Sequence, residues 1–270
     1  MQSVLSNMAV TPTSVTLTAN SGGTFWGGSG ARYVFPPFSI SNDSVPVNGN
    51  VTIQVSEFLK KSDLIFSSVL PFSNGYPLVP GGAYYINITQ NGQPLSIAPG
   101  SYYQVFLPLA AAPPANLQFF LGRPDDTSVY NRVNWQPADT TLGKVQAMGD
   151  TLLITSDSTH YGGAFAYLDS PAYQNFTVTV TAPNSTFSDS IAAFAVLDAT
   201  GSVVGMTEVS NHVVSVANVP NVPVHFVVFT VIDGNFYGAI LAATPVSGRN
   251  YTIYLTKSSP AQLRSKIDAL

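Results

Sequence analysis

The amino-acid sequence predicts an all-β protein made of antiparallel β-sandwich domains with a short C-terminal helix. Three observations predict this class: period-two alternation of apolar and polar residues, turn-forming dipeptides between the alternating runs, and a polar but weakly charged composition. Hydrophobic residues make up 45% of the 270 residues, whereas charged residues make up only 9%. Solubility must therefore depend on Ser, Thr, Asn, Gln and Gly, which is typical of exported β-proteins.

Eight segments alternate β-branched or aromatic residues with small polar ones, as half-buried strands do. They cover residues 14–19, 50–55, 83–89, 102–107, 176–181, 191–197, 225–231 and 250–255. The segments are separated by dipeptides that readily adopt the positive φ angles of tight turns. These are Asn48-Gly49, Asn74-Gly75, Asn91-Gly92, Thr200-Gly201 and Asp233-Gly234. The pattern predicts largely antiparallel connections.

The C-terminal tail departs from this pattern and predicts a helix from about Pro260. Ser259 is suited to the N-cap, and a proline is favoured in the first helical turn. Three apolar residues would share one face of this helix: Leu263, Ile267 and Leu270. We expect that face to pack on the second domain. Residues 56–65 form a second helical candidate, although an irregular crossover between strands fits their position equally well.

We expect two domains, because strand alternation is weakest between Pro108 and Trp135. That stretch contains four prolines and the adjacent pair Asp125-Asp126. The predicted division is an N-terminal β-sandwich over residues 1–110, a linker or inter-domain segment over 111–135, and a C-terminal β-sandwich with the helix over 136–270.

Charge and cysteine content exclude several classes of function. The net charge of −4 leaves no basic surface for nucleic acid, so no nucleic-acid partner is expected. The chain has no cysteine, which removes disulfides, thiolate nucleophiles and Cys-ligated metal sites. Prolines interrupt the long uncharged stretches, so no transmembrane segment is predicted. We expect an extracytoplasmic protein, at the cell surface or in the periplasm, whose secretion signal is not part of this chain.

Three segments carry a resemblance to a known group of proteins. They are GARYVFPPFSI, NGNVTIQVSEFLKKSDLIFS and SNGYPLVPGGAYYINITQNGQPLSIAPGSYYQVFLP, and the matching positions are 32–37, 49–55 and 73–75. This order resembles exported surface proteins or lipoproteins of Bacteroidetes-type bacteria, a family of unknown function. That family is distantly similar to the β-sandwich domain of ankyrins and netrin receptors. The segments GAFAYLDSPAYQNFTVTVTAPN, DATGSVVGM and DGNFYGAILA extend the resemblance into the second half.

The resemblance implies a fold and an exported setting more than an activity. The eukaryotic relatives bind protein partners, and some cleave themselves at a His-Phe-Ser bond. This chain has Val227 after His225 and Phe226, so the hydroxyl nucleophile of that reaction is absent here.

One histidine lies among residue types that could catalyse hydrolysis. His160 follows Asp157 and Ser158 and precedes Tyr161. A Ser–His–Asp relay uses these residue types, but the sequence contains no nucleophile-elbow or oxyanion motif around them. A solvated loop is the more common outcome for such a cluster, and no catalytic residue is predicted.

Paired carboxylates and metal ligands are also scarce. The only glutamates are Glu57 and Glu208, although glycoside hydrolysis needs two suitably placed carboxyl groups. Asp125 and Asp126 could contribute to a calcium site, but the regularly spaced ligands of a calcium loop are missing. No metal and no cofactor is predicted.

Trp26 is the one candidate ligand-binding residue. It lies in the glycine-rich segment SGGTFWGGSG, and an aromatic side chain on such a loop can stack on a sugar ring or anchor a protein contact. The competing interpretation, which we favour on general grounds, is that the indole folds back and covers one end of the sandwich. Trp135 is expected to pack between the domains.

These observations favour a non-catalytic extracytoplasmic module that binds a protein or glycan partner at the cell surface or serves as a scaffold. A hydrolase acting on carbohydrate or ester bonds is the first alternative. A structural protein of a virus or other particle is a further alternative.

Overall fold

The computed structural model describes residues 2–109, 112–125, 133–139, 143–169, 173–183, 190–210, 212–244, 246 and 248–270, with the backbone alone at 2–4 and 218. The helices are α1 (Gln2–Met8), α2 (Lys61–Phe66) and α3 (Pro260–Asp268). The strands up to residue 167 are β1 (Thr13–Thr18), β2 (Gly23–Trp26), β3 (Arg32–Phe35), β4 (Ile40–Asn42), β5 (Val45–Pro46), β6 (Asn50–Phe58), β7 (Phe72–Ser73), β8 (Tyr76–Gln90), β9 (Gln93–Pro94), β10 (Ser96–Ile97), β11 (Tyr103–Pro108), β12 (Gln118–Pro124), β13 (Val133–Pro137), β14 (Lys144–Met148), β15 (Thr151–Ser156) and β16 (His160–Tyr167). The later strands are β17 (Tyr173–Thr181), β18 (Ala192–Leu197), β19 (Val203–Gly205), β20 (Thr207–Ser210), β21 (Val213–Pro220), β22 (Val224–Ile232), β23 (Asn235–Ala243), β24 (Asn250–Tyr254) and β25 (Thr256–Lys257).

The strands form four main sheets, which confirms the predicted all-β class. The first inner sheet has the order β1-β6-β8-β16-β12-β13, and the first outer sheet has the order β14-β15-β11-β3-β2. The second inner sheet is β19-β18-β22-β23-β25, and the second outer sheet is β20-β21-β17-β24. A small sheet has the order β10-β4-β5. The first inner and outer sheets and this small sheet, from β1 to β16, are called the first unit below. The second inner and outer sheets, from β17 to β25, are called the second unit. The pairs joined by the tight turns are antiparallel, whereas β17 and β24 pair in parallel.

Three predicted hairpin turns have the expected backbone. Both residues of Asn74-Gly75, Asn91-Gly92 and Asp233-Gly234 have positive φ angles. This is the geometry of the two-residue turns that match the twist of antiparallel strands. They connect β7 to β8, β8 to β9, and β22 to β23.

The central strands of each inner sheet bury side chains on both faces. In β12, the neighbours Phe119 and Phe120 belong to different core clusters. In β18, Ala192, Phe194 and Val196 face one cluster, and Ala193, Ala195 and Leu197 face another. Because side chains alternate across a strand, each inner sheet separates two apolar layers. The runs AAFAVL and VHFVVFTVI are accordingly apolar at nearly every position.

The middle apolar layer joins the two units. It is a connected cluster with residues from both inner sheets and from all three helices, including Phe66, Phe165, Phe229 and Ile267. Trp135 lies in this layer, fully buried, with its Nε1–H donating to the Leu70 carbonyl at 2.9 Å. Trp135 therefore packs between the units, as expected.

Strand β12 and the start of β13 lie within residues 111–135, the segment that the sequence suggested as a domain boundary. Strands β12 and β16 pair with each other, and β16 pairs with β8, so one sheet continues from residue 13 to residue 167. The first unit therefore ends after β16.

The C-terminal helix is confirmed, with a broader contact than expected. Ser259 Oγ accepts the Gln262 N–H at 3.2 Å, and Pro260 occupies the first turn. Leu263 and Ile267 enter the middle layer instead of contacting the second unit alone. Arg264 also reaches the first unit, where its guanidinium donates to Asp63 Oδ1 at 2.9 Å.

Residues 56–65, for which a helix and an irregular crossover fitted equally well, contain the end of a strand and most of a short helix. Strand β6 continues through Phe58, and α2 covers only Lys61–Phe66. Pairing with β8 extends the strand, because Ser56, Glu57 and Phe58 lie opposite Tyr85, Tyr84 and Ala83. Helix α1 has no counterpart among the sequence-based predictions.

Replacing Ile267 with alanine should destabilise the protein, because Ile267 is fully buried in the middle layer. We expect the free energy of unfolding to fall by about 2–4 kcal/mol in urea denaturation. Lys266→Ala on the exposed side of the same helix is the control and should change it by less than about 0.5 kcal/mol. Equal stabilities of the two variants would contradict the packing of α3.

Candidate ligand-binding face

The outward face of the first outer sheet carries a row of large side chains. Trp26 on β2 lies opposite Arg32 on β3, Arg32 lies opposite Phe106 on β11, and Phe106 lies opposite Leu153 on β15. Directly opposed residues project from the same face of a sheet, so these four side chains form a continuous strip across four strands. Their neighbours along the strands, such as Phe25 and Tyr33, point into the core. The strip is called the Trp26 face below.

The Trp26 side chain projects from this face into solvent. The interpretation that we favoured from the sequence, in which the indole folds back over the end of the sandwich, is therefore wrong. Its side chain is 63% exposed. Beside it lies an open cleft of about 360 Å³. The residues that line the cleft are Trp26, Gly30, Arg32, Phe106, Pro108, Met148 and Thr151.

The Arg32 guanidinium stacks over the Phe106 ring, with its central carbon 3.9 Å from the ring centroid. This contact holds the guanidinium beside the ring and is worth about 0.5–1 kcal/mol at an exposed site. The Arg32 N–H groups make no hydrogen bond with the described residues, so their edges are available to a ligand. A planar guanidinium with free edges can bind a carboxylate through two parallel hydrogen bonds.

The charged side chains on the strands of this face are positive. The five strands of the first outer sheet contain Arg32 and Lys144 and no Asp or Glu. Lys144 lies opposite Thr155 on the outward side of β15. Asp150 lies at the edge, in the β14–β15 turn, where its Oδ1 accepts a hydrogen bond from Thr151 Oγ1 at 3.1 Å. The face is therefore cationic although the whole chain has a net charge of −4.

The glycines after Trp26 form the turn between β2 and β3, and this turn bends across the end of the sandwich. Gly27 N–H donates to the Ala31 carbonyl at 2.8 Å, which closes the turn. The backbone N–H of Ser29 then donates to Glu57 Oε2 on β6, a strand of the opposite sheet. A Cβ atom built on Gly27 would overlap the Glu57 carboxylate. The loop backbone, and not the indole, covers this end of the sandwich.

Glu57 is nearly inaccessible, with 2% of its surface exposed. Burial raises the pKa of its carboxyl, and hydrogen bonds from Ser29, Tyr33 and the Ala31 backbone offset only part of this effect. Glu57 Oε1 and the Tyr33 hydroxyl are both buried, and the contact between them falls short of a well-formed hydrogen bond. The two groups nevertheless lie close enough to interact: burial and, next, the negative charge of Glu57 raise the pKa of Tyr33.

Two further tyrosines continue the polar cluster into the core. The hydroxyls of Tyr84 and Tyr103 lie 3.1 Å apart, and the Tyr103 hydroxyl donates to the Ser158 carbonyl at 2.8 Å. Burial raises the pKa of Tyr103 to about 12. These hydroxyls therefore stay protonated at neutral pH and act as neutral hydrogen-bonding groups.

The residues around His160 do not form a catalytic relay. Ser158 Oγ donates to Asp157 Oδ1 at 3.1 Å, whereas the His160 ring stacks on Tyr85 at 6.0 Å between centroids. Among the described residues, no hydrogen bond joins His160 to Ser158 or Asp157. His160, Tyr161 and Arg123 instead line a separate open cleft of about 570 Å³.

The remaining candidates lie apart from one another. Glu208 is exposed and its Oε1 accepts the His212 N–H at 3.2 Å. His225 Nδ1 lies 2.6 Å from Asp198 Oδ1 on the surface of the second unit. Asp126 lies outside the described residues, so the Asp125-Asp126 pair cannot be placed. Within the described ranges, no three His, Asp or Glu side chains gather closely enough to hold a metal ion.

Comparison with known proteins assigns no family to the chain. No protein-family model matches it, and neither does any curated protein. Among solved structures, the major pilin subunit of Bacillus cereus, BcpA, aligns over 92% of this chain and 100% of its own, with 9% sequence identity and a TM-score of 0.24. A similarity this low carries no argument about function. In the described residues, no helix is long and apolar enough to cross a membrane.

Glu57→Gln should stabilise the protein at pH 7.5 by about 1 kcal/mol in urea denaturation, since the amide removes a buried charge and keeps an acceptor for Ser29 N–H. The raised pKa of Glu57 sets the sign of the pH dependence. The stability linked to this group is fully present below the pKa of the unfolded chain, and it is lost as the pH rises through the folded pKa. The advantage of the variant should therefore shrink on acidification.

Exposed Glu208→Gln is the matched control and should show no such advantage. A Glu57→Gln variant that is less stable than the wild type at pH 7.5, by a margin that grows as the pH rises, would contradict the desolvation argument.

Proposed function

We propose that the chain is a non-catalytic extracytoplasmic binding module whose Trp26 face binds a glycan. The observation that carries this proposal is the exposed indole of Trp26 beside the stacked pair Arg32 and Phe106. An indole presents a flat apolar surface to the C–H face of a sugar ring, and a neighbouring polar group can fix the orientation of the ring. The low charge and the polar, strand-rich sequence support an extracytoplasmic setting.

The chemistry of the face favours an acidic sugar over a neutral one. Arg32 has free guanidinium edges next to the indole, and Lys144 is the only other charged residue in these five strands. A uronate residue could stack on Trp26 while its carboxylate accepts two hydrogen bonds from Arg32. Such a contact is also geometrically selective, because the guanidinium is already oriented by Phe106.

A glycan fits this face better than a protein does. The cleft of about 360 Å³ lies at the small end of the range for ligand pockets. A stable protein interface needs about 800 Å² of apolar and polar surface on each partner. If the face binds a protein instead, no glycan should bind in the experiments below.

The hydrolase alternative is not favoured by a specific observation. Its proposed residues are Asp157, Ser158 and His160, and the histidine contacts neither of the other two by a hydrogen bond among the described residues. No feature of the described residues specifically favours the particle-protein alternative.

Trp26→Ala should weaken binding to a glycan array. A single stacking contact contributes about 1 kcal/mol, which corresponds to an affinity loss of about fivefold. The control is Tyr254→Ala, which removes another exposed aromatic side chain, 69% exposed and located on β24 of the second unit. Equal array profiles for Trp26→Ala and the wild type would contradict the site, and an array without any bound glycan would favour a protein partner.

Arg32→Gln should remove the preference for acidic glycans. The comparison uses polygalacturonate and its fully methyl-esterified form, which differ in charge but share one backbone. We expect the wild type to bind the acid form about tenfold more tightly, and the variant to bind both forms equally, since one charge-assisted bidentate contact is worth about 1.5–3 kcal/mol. Unchanged discrimination by Arg32→Gln would contradict the role of Arg32 without removing that of Trp26.

A further inference from the structure

The position of Trp26 depends on a contact between the two sheets of the first unit. The loop that follows Trp26 belongs to the outer sheet, whereas Glu57 lies on β6 of the inner sheet. The tip of this loop contacts the opposite sheet through a hydrogen bond from Ser29 N–H to Glu57 Oε2. Gly27 lies so close to the carboxylate that it has no room for a side chain. The Glu57 carboxylate therefore packs against the loop and accepts a hydrogen bond from it.

The carboxyl of Glu57 has two unlike oxygens. Oε2 accepts the hydrogen bond from the loop, whereas Oε1 and the Tyr33 hydroxyl are buried and make no well-formed hydrogen bond among the described residues. The Tyr33 hydroxyl still interacts with the ionised carboxyl, since it lowers the pKa of Glu57. Burial opposes the ionised form, so the balance between the two forms of the carboxyl depends on pH.

We propose that Glu57 is the positioning residue for Trp26, and that protonation of its buried carboxyl loosens the loop that carries the indole. In the ionised form, Oε2 offers Ser29 N–H a charge-assisted hydrogen bond, which is about twice as strong as a neutral one. In the protonated form that assistance disappears. The Tyr33 hydroxyl, which lowers the pKa of Glu57 by donating to the ionised carboxylate, can then accept a hydrogen bond from the new O–H instead.

The groups around Glu57 keep one charge state across the acidic and neutral pH range, so the charge that changes there is that of the Glu57 carboxyl. The titratable side chains that face it are Tyr33 on β3 and Tyr84, its register partner on β8, and Tyr103 on β11 contacts Tyr84 in turn. Burial raises the pKa of all three. They remain neutral across the acidic and neutral range. Since burial also raises the pKa of Glu57, the change should occur at a higher pH than for an ordinary glutamate.

Loosening the loop should weaken ligand binding, a consequence that rests on the proposed function. A change in the loop affects the indole directly, because Trp26 is the last residue of β2 and Gly27 begins the turn. A loop that samples more conformations must lose more entropy when the indole stacks on a ligand. Glu57 would thus adjust the affinity of the Trp26 face without touching the ligand.

The test follows backbone and indole N–H signals of the full-length protein by NMR between pH 7.5 and pH 4, without any ligand. The Ser29 amide and the Trp26 indole should shift together, with one midpoint above the usual value of a glutamate of about 4.3. Glu57→Gln should abolish both shifts, and Glu208→Gln should preserve them. Ser29 and Trp26 signals that do not titrate in the wild type, or that still titrate in Glu57→Gln, would overturn the proposal.

Binding to an oligogalacturonate at constant pH 7.5 gives the second readout. Glu57→Ala removes the support and should lower the affinity about fivefold, as if the stacking contact were lost. Glu57→Gln keeps an acceptor for Ser29 and should stay within about twofold of the wild type. Gly27→Ala should resemble Glu57→Ala, whereas Gly28→Ala, which meets only Thr13 Oγ1 at 3.0 Å, should resemble the wild type.

Equal affinities of Glu57→Ala and the wild type would overturn the positioning role. If the wild type binds no oligogalacturonate while the ligand-free shifts behave as expected, the proposed ligand is wrong and the positioning of Trp26 by Glu57 stands.

Discussion

The middle apolar layer is the constraint on which the rest of the structure depends. Both inner sheets contribute one face to it, so their central strands are buried on both sides, and strands such as β18 and β22 have to be apolar at nearly every position. The outward faces of the two outer sheets remain open to solvent. A binding surface built on strands can lie there, and the first outer sheet carries the exposed Trp26.

Local structure could be predicted from the sequence, because strand alternation and turn dipeptides are local properties. All eight predicted segments overlap observed strands, and the N-cap Ser259 begins α3 as expected. The domain division could not be predicted in the same way. Proline-rich segments resemble linkers whether they join two units or two strands of one unit, and only the pairing of β16 with β8 distinguishes the two cases.

The candidate site could be predicted only in part. Trp26 was recognisable because it lies in a glycine-rich segment. Arg32 and Phe106 were not, because the row in which they lie depends on the register of three strands, and residues 32 and 106 are far apart in the sequence. Glu57 was noted only as one of two glutamates; its burial results from a loop of the opposite sheet folding over it. The continuous β-branched and aromatic pattern around it was the only available signal that it lies in a strand.

We propose that an acidic glycan contacts Trp26 on the outer sheet, and that the buried Glu57 carboxyl holds the glycine loop next to this indole. The chain offers an internal reference for the contact, since its other tryptophan, Trp135, is buried in the middle layer with its indole N–H bonded to Leu70. The most direct measurement is an NMR titration of the two indole N–H signals with an oligogalacturonate. We expect the Trp26 signal to shift to saturation while the Trp135 signal stays in place. Saturable binding that leaves the Trp26 signal unchanged would contradict the proposed contact.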